Sequence, residues 1–171
     1  MRGFFGIGAE EISKPMNLGA LMRTSHAFGA SFFFTIKAAH KVRDAYNADT
    51  SRSFDHLPYY PFADVESLRL PQGCSLVGVE LTDDAVDLPV FKHPQAAAYV
   101  LGRERGSLSP ELLARCQHVV KIPTKFCINV GLAGALVMYD RVLSLGGYPA
   151  RPIMPGGPPP EMSDAPKKKR I

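Results

Sequence analysis

Short apolar runs punctuate the chain: GFFGIG at 3–8, ASFFFTI at 30–36, SLVGVEL at 75–81, AAAYVLG at 96–102 and HVVKIP at 118–123. They are rich in aromatic and β-branched residues and too short for most helices. Such runs fit strands buried on both faces, as in a parallel sheet. Helical spacing of apolar positions lies between them, at 17–28, 64–69, 109–115 and 129–145. Strands that alternate with helices predict an α/β fold: an open, mostly parallel sheet with helices on both faces. In such sheets ligands bind in the loops beyond the carboxyl ends of the strands.

The helix boundaries are signed by residue type. Asn17 is expected to cap the first helix and Gly29 to close it. Ser109 precedes Pro110 and Glu111, a cap followed by proline at the first helical position. Asn129 opens the last long pattern, and Gly146-Gly147 end it. Residues 40–62 are polar, then aromatic and proline-rich, and read as a loop with at most a short helix. From Pro149 onward proline and glycine dominate and the periodicity stops. The chain therefore divides into a domain at 1–148 and a disordered or loosely docked basic tail at 149–171.

Charge alters this picture only locally. The formal net charge is +4, but residues 149–171 hold five basic residues against two acidic ones, which leaves +1 for the body. A polyanionic partner is compatible with this and is not established by it. No apolar run reaches membrane-spanning length, and acidic residues follow the short N-terminal apolar patch at once, so that patch reads as a strand and not a signal peptide. Cys74, Cys116 and Cys127 show no metal-binding spacing. They predict reduced thiols in a cytoplasmic protein, and no metal is expected from them or from the scattered His26, His40, His56, His93 and His118.

Three segments carry candidate chemistry. In NLGALMRTSHAFG (17–29), Leu18, Leu21, Met22 and Phe28 mark an apolar face, with Gly19 and Arg23 on another stripe. A helix glycine costs roughly 1 kcal/mol against alanine, which suggests close approach of a backbone or ligand; a capped helix with a surface arginine is the plainer alternative. YVLGRERGSLSPEL (99–112) and KIPTKFCINVGLAGALVMYDR (121–141) each run off a strand through a tight turn into a helix. The last helix is apolar almost all round until Asp140 and Arg141, as expected for a core or subunit-interface helix. Neither segment is a nucleotide-phosphate loop, since GxGxxG and GKS/T are missing.

Taken in order, the three segments resemble the SPOUT superfamily of RNA methyltransferases, in its TrmH-like ribose 2′-O branch. Asn17, Gly19 and Arg23 match its Asn-x-Gly-x-x-x-Arg motif; Gly102 and Glu104 match the second; Ile122, Pro123 and Asn129 match the third. Three departures stand out. Gly106 comes one place early, with Ser107 in the usual glycine position; Cys127 replaces a serine; and the loop from Pro123 to Asn129 is short. The resemblance implies a C-terminal trefoil knot, a homodimer, and S-adenosylmethionine held near Leu81, Leu101, Gly102, Ile122, Cys127 and Asn129. It implies Arg23 as the catalytic residue, acting across a subunit seam, with Asn17, Glu104 and Asn129 holding it. The substrate implied is tRNA or rRNA, contacted by Arg23 and by Lys41, Arg43 and Arg52, which also read as ordinary solvated charges. Methylation of a base nitrogen and a non-catalytic RNA-binding module remain alternatives, as do stacking or plain core packing for Tyr59-Tyr60. The terminal PKKKR resembles a nuclear import signal; an RNA-grasping tail or a solubilising one are the other readings.

Overall fold

The computed structural model describes residues 3–39, 53–104, 106–148 and 155–157. Among these residues seven strands form one sheet: β1 (Phe4–Glu10), β2 (Phe32–Ile36), β3 (Tyr59–Phe62), β4 (Ser75–Val79), β5 (Val86–Asp87), β6 (Ala96–Leu101) and β7 (His118–Lys121). Their order is β3-β2-β1-β6-β4-β7-β5, and every neighbouring pair is parallel. Among the described residues the α-helices are α1 (Pro15–Ala27), α2 (Pro110–Arg115) and α3 (Val130–Ser144).

Side chains alternate across a strand, so each central strand feeds two cores. Phe5, Ile7 and Ala9 of β1, with Ala97, Tyr99 and Leu101 of β6, meet Leu18, Leu21 and Met22 of α1 and Val137 and Met138 of α3. On the other face Phe32, Phe34 and Ile36 of β2 join Ala98, Val100, Leu108 and Leu112. Gly6 and Gly8 stand on that second face, where a Cβ would fall 2.3 and 2.4 Å from the Phe32 and Phe34 rings. Gly6 and Gly8 are therefore the space that two aromatic rings occupy. Gly134 has a similar role between helices, since a Cβ there would lie 2.3 Å from Leu21 Cδ1.

At the amino-terminal edge of the sheet, α3 is locked down by Arg141. Its guanidinium donates to the carbonyl oxygens of Phe4, Pro94 and Gln95 and to the Tyr99 hydroxyl, at 2.6 to 3.2 Å. The Asp140 carboxylate can only accept, so His93 Nε2–H donates to it (2.9 Å), and the neutral imidazole's Nδ1 then accepts the Tyr99 hydroxyl proton (2.6 Å). Burial pushes the Tyr99 hydroxyl up to about 12 and lowers the His93 imidazole below its usual range, against the pull of Asp140.

Three expectations need correction. Helix α1 begins at Pro15, and its N-cap residue Lys14 makes no side-chain cap bond; Asn17 lies inside the first turn, its side chain drawn into a long-range contact. Residues 64–69 form no helix: Asp64 accepts from the Ser67 amide and Ser67 Oγ bonds back to the Asp64 carbonyl, closing a turn instead. Within 40–62, Tyr59–Phe62 is an edge strand, which tolerates Pro61 because its outer side needs no donor. Tyr59 bonds Thr35 through its hydroxyl, and Tyr60 is exposed. Ser109 and Asn129 cap their helices as expected, accepting from Leu112 N and Gly131 N, and Gly29 follows α1 at φ +76°. The predicted tail lies outside the described residues apart from 155–157.

Candidate active site

The carboxyl ends of β4, β6 and β7 open into one cleft of about 320 Å³, closed on its remaining side by the starts of α1 and α3. Leu81, Leu101, Gly102, Ile122, Cys127 and Asn129 all line it, as do Asn17 and Glu104. Gly102 lets the chain fold back on itself, since a Cβ there would meet Leu108 N at 3.2 Å.

Glu104 is the hub of the polar end. Its Oε1 accepts from Lys14 N (2.9 Å) and Asn17 Nδ2 (2.9 Å), and its Oε2 from Ser13 N (3.1 Å) and Ser13 Oγ (2.7 Å). Helix α1 has no cap of its own, so a carboxylate from about ninety residues away takes two main-chain donors at its N-terminus, where negative charge is favoured. Partial burial works to raise this carboxyl, but the bonds from Ser13, Asn17 and the backbone outweigh it and hold it down at about 2.

The orientation of both amides follows. Asn129 Oδ1 is committed to Gly131 N (2.8 Å), so its Nδ2 donates to Asn17 Oδ1 (3.1 Å), and Asn17 Nδ2 must then face Glu104. One directed chain of hydrogen bonds thus runs from the N-terminus of α3 through α1 to the loop after β6. It ties together the three segments singled out in the sequence.

Two further carboxylates fix the far side of the same loop. Glu10, only 2% exposed, accepts from Ser109 N (2.7 Å) and Ser109 Oγ (2.5 Å). Glu80 accepts from Leu81 N (2.9 Å) and Leu108 N (2.7 Å) and lines the cleft. Neither stands out as a site residue in the sequence alone. The available signal was an acidic residue directly after a buried run, as in SLVGVE and GFFGIGAE.

Arg23 lies six residues beyond Asn17 on α1, about 9 Å along the helix axis, with an exposed side chain outside the wall of this cleft. Gly19, one turn before it, is buried. Lys41, Arg43 and Arg52 lie outside the described residues. Among the described residues no group of three or more His, Cys, Asp or Glu side chains converges as a metal site, and no helix is long and apolar enough to cross a membrane.

Comparison with known proteins points one way. The profile of the SpoU rRNA Methylase family matches residues 5–139. The chain is 29% identical over 148 residues to the mouse protein named tRNA (guanosine(18)-2'-O)-methyltransferase TARBP1, which covers 77% of this chain but 9% of that protein. It is 25% identical over 136 residues to the tRNA (guanosine(18)-2'-O)-methyltransferase of Escherichia coli K12, covering 77% of this chain and 59% of that one. The chain thus spans well under two thirds of either relative. In fold it is similar to the SpoU methyltransferase AviRb from Streptomyces viridochromogenes, solved in complex with AdoMet, with a TM-score of 0.75 at 23% identity over 87% of this chain and 60% of the other.

Proposed function

We propose that this chain, which belongs to the SpoU rRNA methylase family, transfers a methyl group from S-adenosylmethionine to a ribose 2′-hydroxyl of tRNA or rRNA. The observation that carries the reading is the Glu104–Asn17–Asn129 relay, which gathers the three motif segments at one cleft. Both curated relatives are named as tRNA ribose methyltransferases, which favours tRNA.

The lining fits the cofactor. The volume is of the order that encloses a small organic ligand, about 300 Å³ or more. Leu81, Leu101 and Ile122 offer apolar walls for a purine, and the main chain around Gly102 and Ile122 can read its edge. When bound, S-adenosylmethionine supplies a methyl group already activated by a sulfonium. The protein's remaining tasks are placement, which can contribute several kcal/mol, and handling of the hydroxyl proton.

Arg23 takes the second task. A guanidinium donates hydrogen bonds and accepts none, so it orients the ribose hydroxyl and offsets the charge that develops on the oxygen as the proton leaves, with an RNA phosphate as acceptor. Glu104 is an anchor and not a base: four donors occupy its oxygens, and its carboxyl is held down at about 2. Asn17 and Asn129 transmit that anchoring to the α1 turn that precedes Arg23.

Assembly belongs to the same proposal. The outer face of α3 exposes Leu132, Leu136 and Tyr139, the first to 62%, and Met16 stands exposed on α1. A contiguous apolar helical stripe of this kind supports a homodimer, in which Arg23 completes the cleft of the other subunit. The family's C-terminal trefoil knot is proposed on the convergence of the loops after β4, β6 and β7. The setting is a reducing cytosol, consistent with free thiols at Cys74, Cys116 and Cys127.

The test is methyl transfer from labelled S-adenosylmethionine to bulk tRNA and rRNA, with Arg23→Ala alongside. The variant should keep its cofactor affinity by calorimetry and lose at least roughly 10²-fold in turnover. Full turnover would remove Arg23 from the mechanism, and no transfer by the unmodified protein would remove the function.

A further inference from the structure

Phe126 is exposed to 74%, the most exposed aromatic side chain among the described residues, and it stands beside the cleft. We propose that its ring is a platform on which an unpaired nucleobase of the RNA substrate stacks at the mouth of the cleft. The inference rests on the RNA reading above and adds the state of the substrate that the site accepts: a nucleotide out of its helical stack.

The main chain fixes where the ring stands. Thr124 N donates to Ile122 O (2.7 Å), and Thr124 Oγ1 donates to Phe126 O (2.9 Å), so residues 122–126 form a tied turn. Thr124 and Cys127, on either side of Phe126, line the cleft wall. The ring itself lies in neither hydrophobic core and makes no ring contact among the described residues. An exposed phenyl on a tied turn forgoes the burial that normally favours it, and that surface remains free for a flat partner.

The charges around it suit a nucleic acid strand. Lys14 lines the cleft, and Lys125 adjoins the ring. The nearby acids are engaged within the protein: Glu104 accepts four hydrogen bonds, Glu80 accepts two, and Glu11 pairs with Arg103 at 2.8 Å. Neither Lys14 nor Lys125 is in an ion pair among the described residues. Cations that follow a backbone beside an aromatic that takes a base are the elements of single-strand recognition. A subunit seam is the rival occupant. Lysine is depleted at such interfaces, and the neighbours of Phe126 in sequence are Thr124, Lys125 and Cys127, all exposed, whereas the apolar stripe lies on α3.

The chain has no tryptophan, so Phe126→Trp installs a single indole reporter in the otherwise intact protein. Titration with single-stranded oligouridylate, without cofactor, should quench its emission saturably, and a blunt RNA duplex should not. Phe126→Ala should weaken binding of bulk tRNA by roughly 5- to 150-fold with S-adenosylmethionine affinity unchanged, and Phe126→Tyr should restore tRNA binding. Silent emission while tRNA binds normally would overturn this inference alone. Emission that shifts with protein concentration and ignores RNA would assign the ring to a subunit seam and overturn it too. Failure of the unmodified protein to bind any RNA would instead strike the function itself, and this inference with it.

Discussion

An amide side chain gives and takes hydrogen bonds from different atoms, and the site uses that difference at Asn17. Its oxygen faces Asn129 Nδ2 and its nitrogen faces Glu104, so replacement by aspartate sets two carboxylates against each other. Asn17→Asp should destabilise the fold by about 1–3 kcal/mol, read from urea denaturation, whereas Asn17→Ala should cost less because it introduces no repulsion. Glu104 also makes a prediction for pH. Its folded carboxyl sits near 2 against an ordinary 4.5, so its bonds contribute fully above about pH 4.5 and are lost as pH falls toward 2. Glu104→Gln should remove that component from an acid-unfolding curve; an unchanged curve would contradict the anchor. The sequence marked Asn17, Glu104 and Asn129 as a group but misassigned Asn17 as a helix cap. A cap is a local inference, and the partner that overrides it is 87 residues away.

Strand β1 shows what local pattern can and cannot carry. GFFGIG reads as a strand from its apolar run, and it is one, but its glycines gain a reason only when β2 is laid beside it with Gly8 opposite Phe34. The Phe34 ring is fully buried. Gly8→Ala should therefore overpack this layer and cost about 1–3 kcal/mol in thermal or chemical unfolding, while a strand tolerant of the methyl would show no loss. Five strands and three helices were legible, because each pairs an apolar run with a turn or cap. The rest failed for distinct reasons. Tyr59–Phe62 contains a proline that argues against an interior strand, and its place at the edge is a property of the sheet. Val86–Asp87 is too short to show any period. Residues 64–69 carry helical spacing that Asp64 and Ser67 divert into a turn.

At the scale of the molecule, the parallel sheet brings the ends of β4, β6 and β7 together, so segments far apart in sequence share one cleft. That meeting was legible only through the resemblance, whose motifs named the residues of each segment; nothing local said that they touch. The apolar face of α3 follows from composition, and its exposure in the single chain is what the structure adds. If that face joins two copies, Leu132→Glu should yield folded monomers by sedimentation and lower turnover, because Arg23 then has no second cleft to complete. A monomeric unmodified protein with full activity would contradict this assembly. Transfer of the methyl group to a ribose oxygen, as proposed, is tested by alkaline hydrolysis of RNA modified by this protein with labelled S-adenosylmethionine. A 2′-O-methyl group removes the nucleophile that alkali needs, so label is expected in alkali-resistant dinucleotides. Label in mononucleotides would mean methylation of a base and would contradict ribose transfer.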